Sequence, residues 1–248
     1  MFNKGSKERE STDRAEHEID GPVGRPRERR KVPTSGEGVV VIGLGRFGTQ
    51  VAESLVRLGH EVLGVDNDQS VVQRWADRLT HVVQADSTSE VALRQLGVAD
   101  FGRVVVGIGT TMEASVLTVL SLAEVGVREI WAKAINKKHG KILTAIGASH
   151  VIYPEAAMGE RVAHLITSKM LDFIELAEGF ALAKTFLPMD CAGGPVGELA
   201  DRYGVTVVGV RRPDGEFDYV RPGQEVPAGA TVIVAGTVDQ VQDFAATT

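Results

Sequence analysis

From Val39 onward the chain alternates short, wholly apolar runs with segments whose apolar residues recur at helical spacing, and the first of these changes carries Gly43, Gly45 and Gly48. VVVIG (39–43) reads as a buried strand. RFGTQVAESLVRLG (46–59) sets Phe47, Val51, Leu55 and Leu58 on one helical face and ends on Gly59, where a helix stops. The alternation continues: strand HEVLGVD (60–66), helix SVVQRWADRL (70–79), strand HVVQAD (81–86), a helix through EVALRQLG, strand RVVVGIG (103–109), helix 113–126, strand EIWAKA (129–134), a helix over KKHGKILTAIG, and strand HVIY (150–153). Strands apolar on both faces and separated by helices imply a parallel sheet covered on both sides. With right-handed crossovers this is the α/β, doubly wound Rossmann architecture, with strand order 3-2-1-4-5-6 expected.

After Pro154 the pattern changes. MGERVAHLITSKMLDFIEL (158–176) reads as a helix leaving the sheet, with 158–169 as the crossover. Short alternating segments follow (FALAKTFLP, VTVVGVRR, EFDYV, TVIVAG), with turn signals at PDG (213–215) and PAGA (227–230), and a helix at 238–245 closes the chain. The expected organisation is a charged tail at 1–37, a nucleotide-binding domain at 38–157, the crossover helix at 158–169, and a smaller C-terminal α+β domain at 170–248. The tail is nearly free of large apolar side chains and reads as disordered. Its basic cluster RPRERRK (25–31) could touch anionic lipid or RNA, but a solubilising tail is the preferred reading.

Charge and composition exclude several classes. A net charge of -6 and a pI near 5.6 argue against a nucleic-acid partner, which requires a basic face. The single cysteine, Cys191, permits no intrachain disulfide and no thiolate zinc site. No apolar run reaches the roughly 18 residues of a membrane span, so work at a membrane requires a partner.

The glycines have separate tasks. Gly43 permits the tight turn after the strand, Gly45 admits a phosphate close to the backbone, and Gly48 lets helix and strand pack. The helix start adds free N–H groups and a partial positive charge. Asp66, at the end of the second strand, is placed to accept ribose hydroxyls and to repel a 2′-phosphate, whereas Asp68 reads as a helix N-cap. These features indicate an adenine nucleotide and leave NAD, ATP, ADP and AMP open. Arg46, inside the loop, offers a guanidinium to terminal phosphates. A dehydrogenase would need a proton-transfer group at the crevice, and of the histidines only His139 follows a strand's carboxyl end. With no metal cluster and no nucleophile–base pair in the sequence, a non-enzymatic role is preferred over a small NAD-dependent oxidoreductase.

The segments VIGLGRFG, LGHEVLGVD, HVVQADST, VVVGIG, WAKAINKKHGKIL and IGASHVIYPEAAMG together resemble the RCK (KTN) family, and within it the KtrA-like, TrkA-related branch. The resemblance is dense over 39–160 and looser beyond. It implies a cytosolic gating subunit of a potassium-uptake system, peripheral to the inner face of the cell membrane through an integral channel subunit. Dimers would assemble into an octameric ring binding ATP or ADP, with NAD(H) as the alternative ligand of TrkA-like relatives. Residue by residue, the resemblance assigns Gly43, Gly45, Arg46, Phe47 and Gly48 to the phosphate loop, with Arg46 reaching a γ-phosphate across a subunit interface. It assigns Asp66 and Asn67 to the ribose, Asp86 and Ser87 to the adenine side, Ile108 and Gly109 to the loop after the fourth strand, and Lys133 and His139 to the phosphate side. Glu155 is implied to hold a divalent cation (Mg²⁺ or Ca²⁺) beside ATP, although on the residues alone it reads as a first-turn acid of the next helix. Some relatives bind cyclic di-AMP in the C-terminal domain; no residue here is assigned to it.

Overall fold

The computed structural model describes residues 38–191, 194–211, 215–221, 223–227 and 229–248. The expected tail at 1–37 and parts of the turns at 213–215 and 227–230 lie outside the described residues.

Period-two alternation places the valines of each strand on opposite faces. In β1 (Val39–Ile42), Val40 and Ile42 join one core, whereas Val39 and Val41 join another. β2 (Val62–Asp66), β3 (His81–Gln84), β4 (Arg103–Val106), β5 (Glu129–Lys133) and β6 (His150–Ile152) complete an all-parallel sheet of order β3-β2-β1-β4-β5-β6, the order expected. One face is covered by α3 (Glu90–Gln95), α4 (Met112–Val125) and α5 (Lys137–Ala145) through Leu93, Val119, Leu122 and Leu143. The other is covered by α1 (Arg46–Arg57) and α2 (Gln69–Trp75) through Ala52 and Trp75. Each fully buried leucine contributes about 1.5–3 kcal/mol. Because β1 lies between β2 and β4, the chain leaves β1 and β4 toward opposite faces and opens a crevice above their carboxyl ends.

The helix expected over 158–176 is corrected. α6 runs Pro154–Thr167, and Asp172–Ala177 forms strand β7. Proline is favoured at a helix's first position, which fixes the start. The helix ends where the Ser168 hydroxyl donates to the His164 carbonyl. β7, β8 (Phe180–Phe186), β9 (Thr206–Arg211), β10 (Phe217–Tyr219) and β11 (Thr231–Thr237) form an antiparallel sheet of order β10-β9-β11-β8-β7. α7 (Glu198–Tyr203) and α8 (Val238–Ala246) cover one of its faces, with Leu199, Val241 and Phe244 in the core. α8 starts with a reciprocal cap between Thr237 and Gln240.

Candidate functional site

The glycine loop is built by close backbone approach. Gly43 has φ +83°, a conformation that glycine adopts without strain, and its N–H donates to the Val65 carbonyl at 2.8 Å. A Cβ on Gly48 would stand 1.9 Å from the Gly43 carbonyl oxygen, so only glycine lets α1 start this close to β1. A Cβ on Gly45 would meet nothing within 4 Å, leaving the loop's backbone open to a ligand. Arg46 and Phe47 begin α1, whose first N–H groups have no helical acceptor.

Asp66 fixes this loop as well as facing the cleft. Its carboxylate accepts the Leu44 N–H at 2.7 Å through Oδ2 and the Asp68 N–H at 3.0 Å through Oδ1. Each oxygen keeps a second acceptor site for a ribose hydroxyl. Asp68 caps α2 by accepting the Ser70 N–H at 2.8 Å, and the Ser70 side chain, helped by this N–H, holds its carboxyl below the usual carboxylate range.

On the opposite wall, Asp86 accepts both the hydroxyl and the N–H of Thr88, at 2.7 and 2.9 Å, which depresses its pKa. The Ser87 hydroxyl is engaged with Thr118 of α4 at 2.8 Å, and Ser121 donates to the Thr88 carbonyl at 2.9 Å. The loop after β3 is thus tied to α4.

Gly43, Gly45, Asp66, Asn67, Asp86, Ser87, Ile108 and Gly109 line one cleft of about 320 Å³. Gly107, Thr110, Thr111 and Ala114 line it too and escaped the sequence reading. Gly107 had a signal, the G-x-G of VVVGIG: a Cβ there would lie 3.0 Å from the Gly43 carbonyl oxygen. Thr110 and Thr111 had none, because they face the cleft only once α4 is docked.

The remaining predicted residues stand outside that lining. Lys133 is buried at the end of β5; a Cβ on Gly109 would lie 3.1 Å from its Nζ, and the Phe47 ring centroid is 5.8 Å from Nζ. Lys133 donates to Glu155 Oε1 at 2.5 Å. That bond, with smaller help from the charge of exposed Arg46, holds the Glu155 carboxyl below its usual range. Among the described residues no group of three or more His, Cys, Asp or Glu is placed to hold a metal ion. A cation at Glu155 would therefore draw its other ligands from phosphate, water or a second subunit. His139 is buried and is not among the residues that line the cleft. It is 1% exposed, its Nδ1 accepts the Ile135 N–H at 3.4 Å, and burial lowers its pKa. The period of α5 turns this side chain inward, which the position of the residue after a strand end did not reveal.

A doubly wound parallel sheet with a glycine loop at its first turn and a carboxylate closing its second strand defines a Rossmann-type protein, here followed by a small antiparallel-sheet unit. Residues 39–154 match the TrkA-N domain model and residues 188–247 the TrkA-C domain model. The chain belongs to this TrkA family, together with the Ktr potassium uptake proteins. Ktr system potassium uptake protein C of Bacillus subtilis (strain 168) is 37% identical over 209 residues, covering 82% of this chain and 94% of that protein. Ktr system potassium uptake protein A of Vibrio alginolyticus is 32% identical over 211 residues, covering 84% and 96%. Among solved structures, the GsuK RCK domain superposes with a TM-score of 0.61 at 18% identity, over 86% of this chain and 49% of that one. The GsuK channel bound to NAD superposes with a TM-score of 0.59 at 18% identity, over 86% and 41%. This chain thus spans about half or less of those solved chains, and the likeness speaks for the fold. No described helix is long and apolar enough to cross a membrane.

Proposed function

We propose that the protein is the cytosolic regulatory subunit of a potassium-uptake system, binding ATP or ADP in the cleft above β1, β2 and β4 and passing the difference between them to an integral membrane channel subunit. The observation that carries this is the convergence of an open glycine loop, the start of α1 and Asp66 on one cleft, in a chain whose relatives are named potassium uptake proteins. The cleft fits a nucleotide: Gly45 leaves its backbone uncovered, Asp66 retains acceptor capacity, and Lys133, Arg46 and the first N–H groups of α1 supply positive potential.

In this reading Asp66 and Asn67 hold the ribose, the 43–48 loop holds the phosphates, and Arg46 discriminates the γ-phosphate. Glu155 would hold the divalent cation that accompanies ATP, offsetting phosphate charge. A ligand shifts a conformational equilibrium only through contacts it makes differently in the two states, and the γ-phosphate with its cation is such a difference. No step of bond-making is assigned to the protein. The subunit works as a homo-oligomer, dimers building an octameric ring. Apolar Met158, Val162 and Ile166, exposed on α6, support assembly.

Calorimetric titration with ATP, ADP and NADH tests the ligand. Adenylate binding that Arg46→Ala weakens more for ATP than for ADP is expected. Equal losses remove Arg46 from the γ-phosphate, and tight NADH binding without adenylate binding moves the site to NAD(H).

A further inference from the structure

The Lys133–Glu155 pair joins the cleft to the helix that leads toward the second sheet. Its two members are unlike: the Lys133 side chain is 11% exposed and the Glu155 side chain 67%. Lys133 is held by β5, Gly109 and Phe47, and the cleft-lining Gly109 is the residue its ammonium lies against. Glu155, by contrast, sits in the first turn of α6, a helix with no buried residue. Along its second half α6 is fastened to the second sheet by Arg161 paired with Asp172 at 2.5 Å and by His164 stacked on Phe173 at 4.1 Å.

We propose that this ion pair is a latch opened by phosphate. With no phosphate in the cleft, Lys133 holds the first turn of α6 through Glu155. When the cleft fills, Lys133 exchanges the carboxylate for a phosphate oxygen and the start of α6 is released. The proposal rests on reading the cleft as an adenylate site and adds how occupancy reaches α6. The physical ground is competition: one buried lysine faces either a single solvated carboxylate, a weak partner, or a phosphate of higher charge with several acceptor oxygens. The immobile lysine stays, and the exposed glutamate moves. Once released, Glu155 has both oxygens free for a cation.

The test compares wild type with Glu155→Gln and Lys133→Met, all first confirmed as folded by circular dichroism. In EDTA, with no divalent cation present, Glu155→Gln is expected to bind ADP about twofold to fivefold more tightly than wild type, since the competitor is gone. Lys133→Met is expected to bind it more weakly. A Glu155 that serves only as a cation ligand would leave ADP binding in EDTA unchanged, and unchanged or weaker binding overturns the latch. In nucleotide-free protein, both variants should speed amide hydrogen exchange at 157–162, and ADP should do the same to wild type but not to Glu155→Gln. Exchange at 157–162 that ignores both substitutions also overturns the latch. Failure of the adenylate reading looks different: no variant binds nucleotide, while both still loosen α6, and the phosphate half of the proposal then falls.

Discussion

Gly45 and Gly48 belong to one motif and act through different physics. A Cβ on Gly48 strikes the Gly43 carbonyl oxygen, whereas one on Gly45 strikes nothing. Gly48→Ala is therefore expected to lower stability by about 1–3 kcal/mol, the usual range for forcing atoms into a packed site, read from the urea midpoint. Gly45→Ala should leave that midpoint nearly unchanged and weaken nucleotide binding. His139 supplies a pH signature. Burial keeps its ring neutral in the fold and lowers its pKa from the ordinary 6.5. The unfolded chain then takes up the proton first, so this contribution is complete above about pH 6.5 and is lost as the pH falls below it, with a slope of up to about 1.4 kcal/mol per pH unit. His139→Asn, which keeps an acceptor for Ile135, should remove that slope from urea midpoints measured between pH 7 and 5.5.

At the scale of elements, α4 and α6 hold opposite positions. α4 is packed on the sheet and carries Thr118 and Ser121 to the loop after β3. Thr118→Val strands the buried Ser87 hydroxyl, and a loss of about 1–3 kcal/mol is expected, with weaker nucleotide binding because Ser87 lines the cleft. α6 has no fully buried residue, only partly buried ones such as Leu165, so its pattern in the sequence is weak. The expectation of a helix through 176 followed from that: apolar residues of β7 continued the apparent helical spacing. What separates the two is the pairing of β7 with β8, with Asp172 opposite Lys184 and Phe173 opposite Ala183. A long-range hydrogen-bond ladder overrides local periodicity.

For the whole molecule, Met158, Val162 and Ile166 on α6 and Ile174 and Leu176 on β7 are exposed apolar side chains. Exposed apolar side chains on neighbouring elements are what the proposed homo-oligomer would cover. Sedimentation of the full chain should show an oligomer, and Val162→Glu with Ile166→Glu should shift it to a smaller species with the fold retained.

The local sequence determined the parallel sheet, its order, the glycine loop and the acid of the second strand, because β propensity, helical period and glycine turns act over a few residues and all agree here. Tertiary structure decided what those residues face. It tied Asp66 to the Leu44 N–H and Ser87 to Thr118, turned His139 into the core, and paired Lys133 with Glu155 across 22 positions of chain. The physical reason is range: a side chain's partner depends on which distant strand or helix packs beside it, and no short stretch of sequence carries that information.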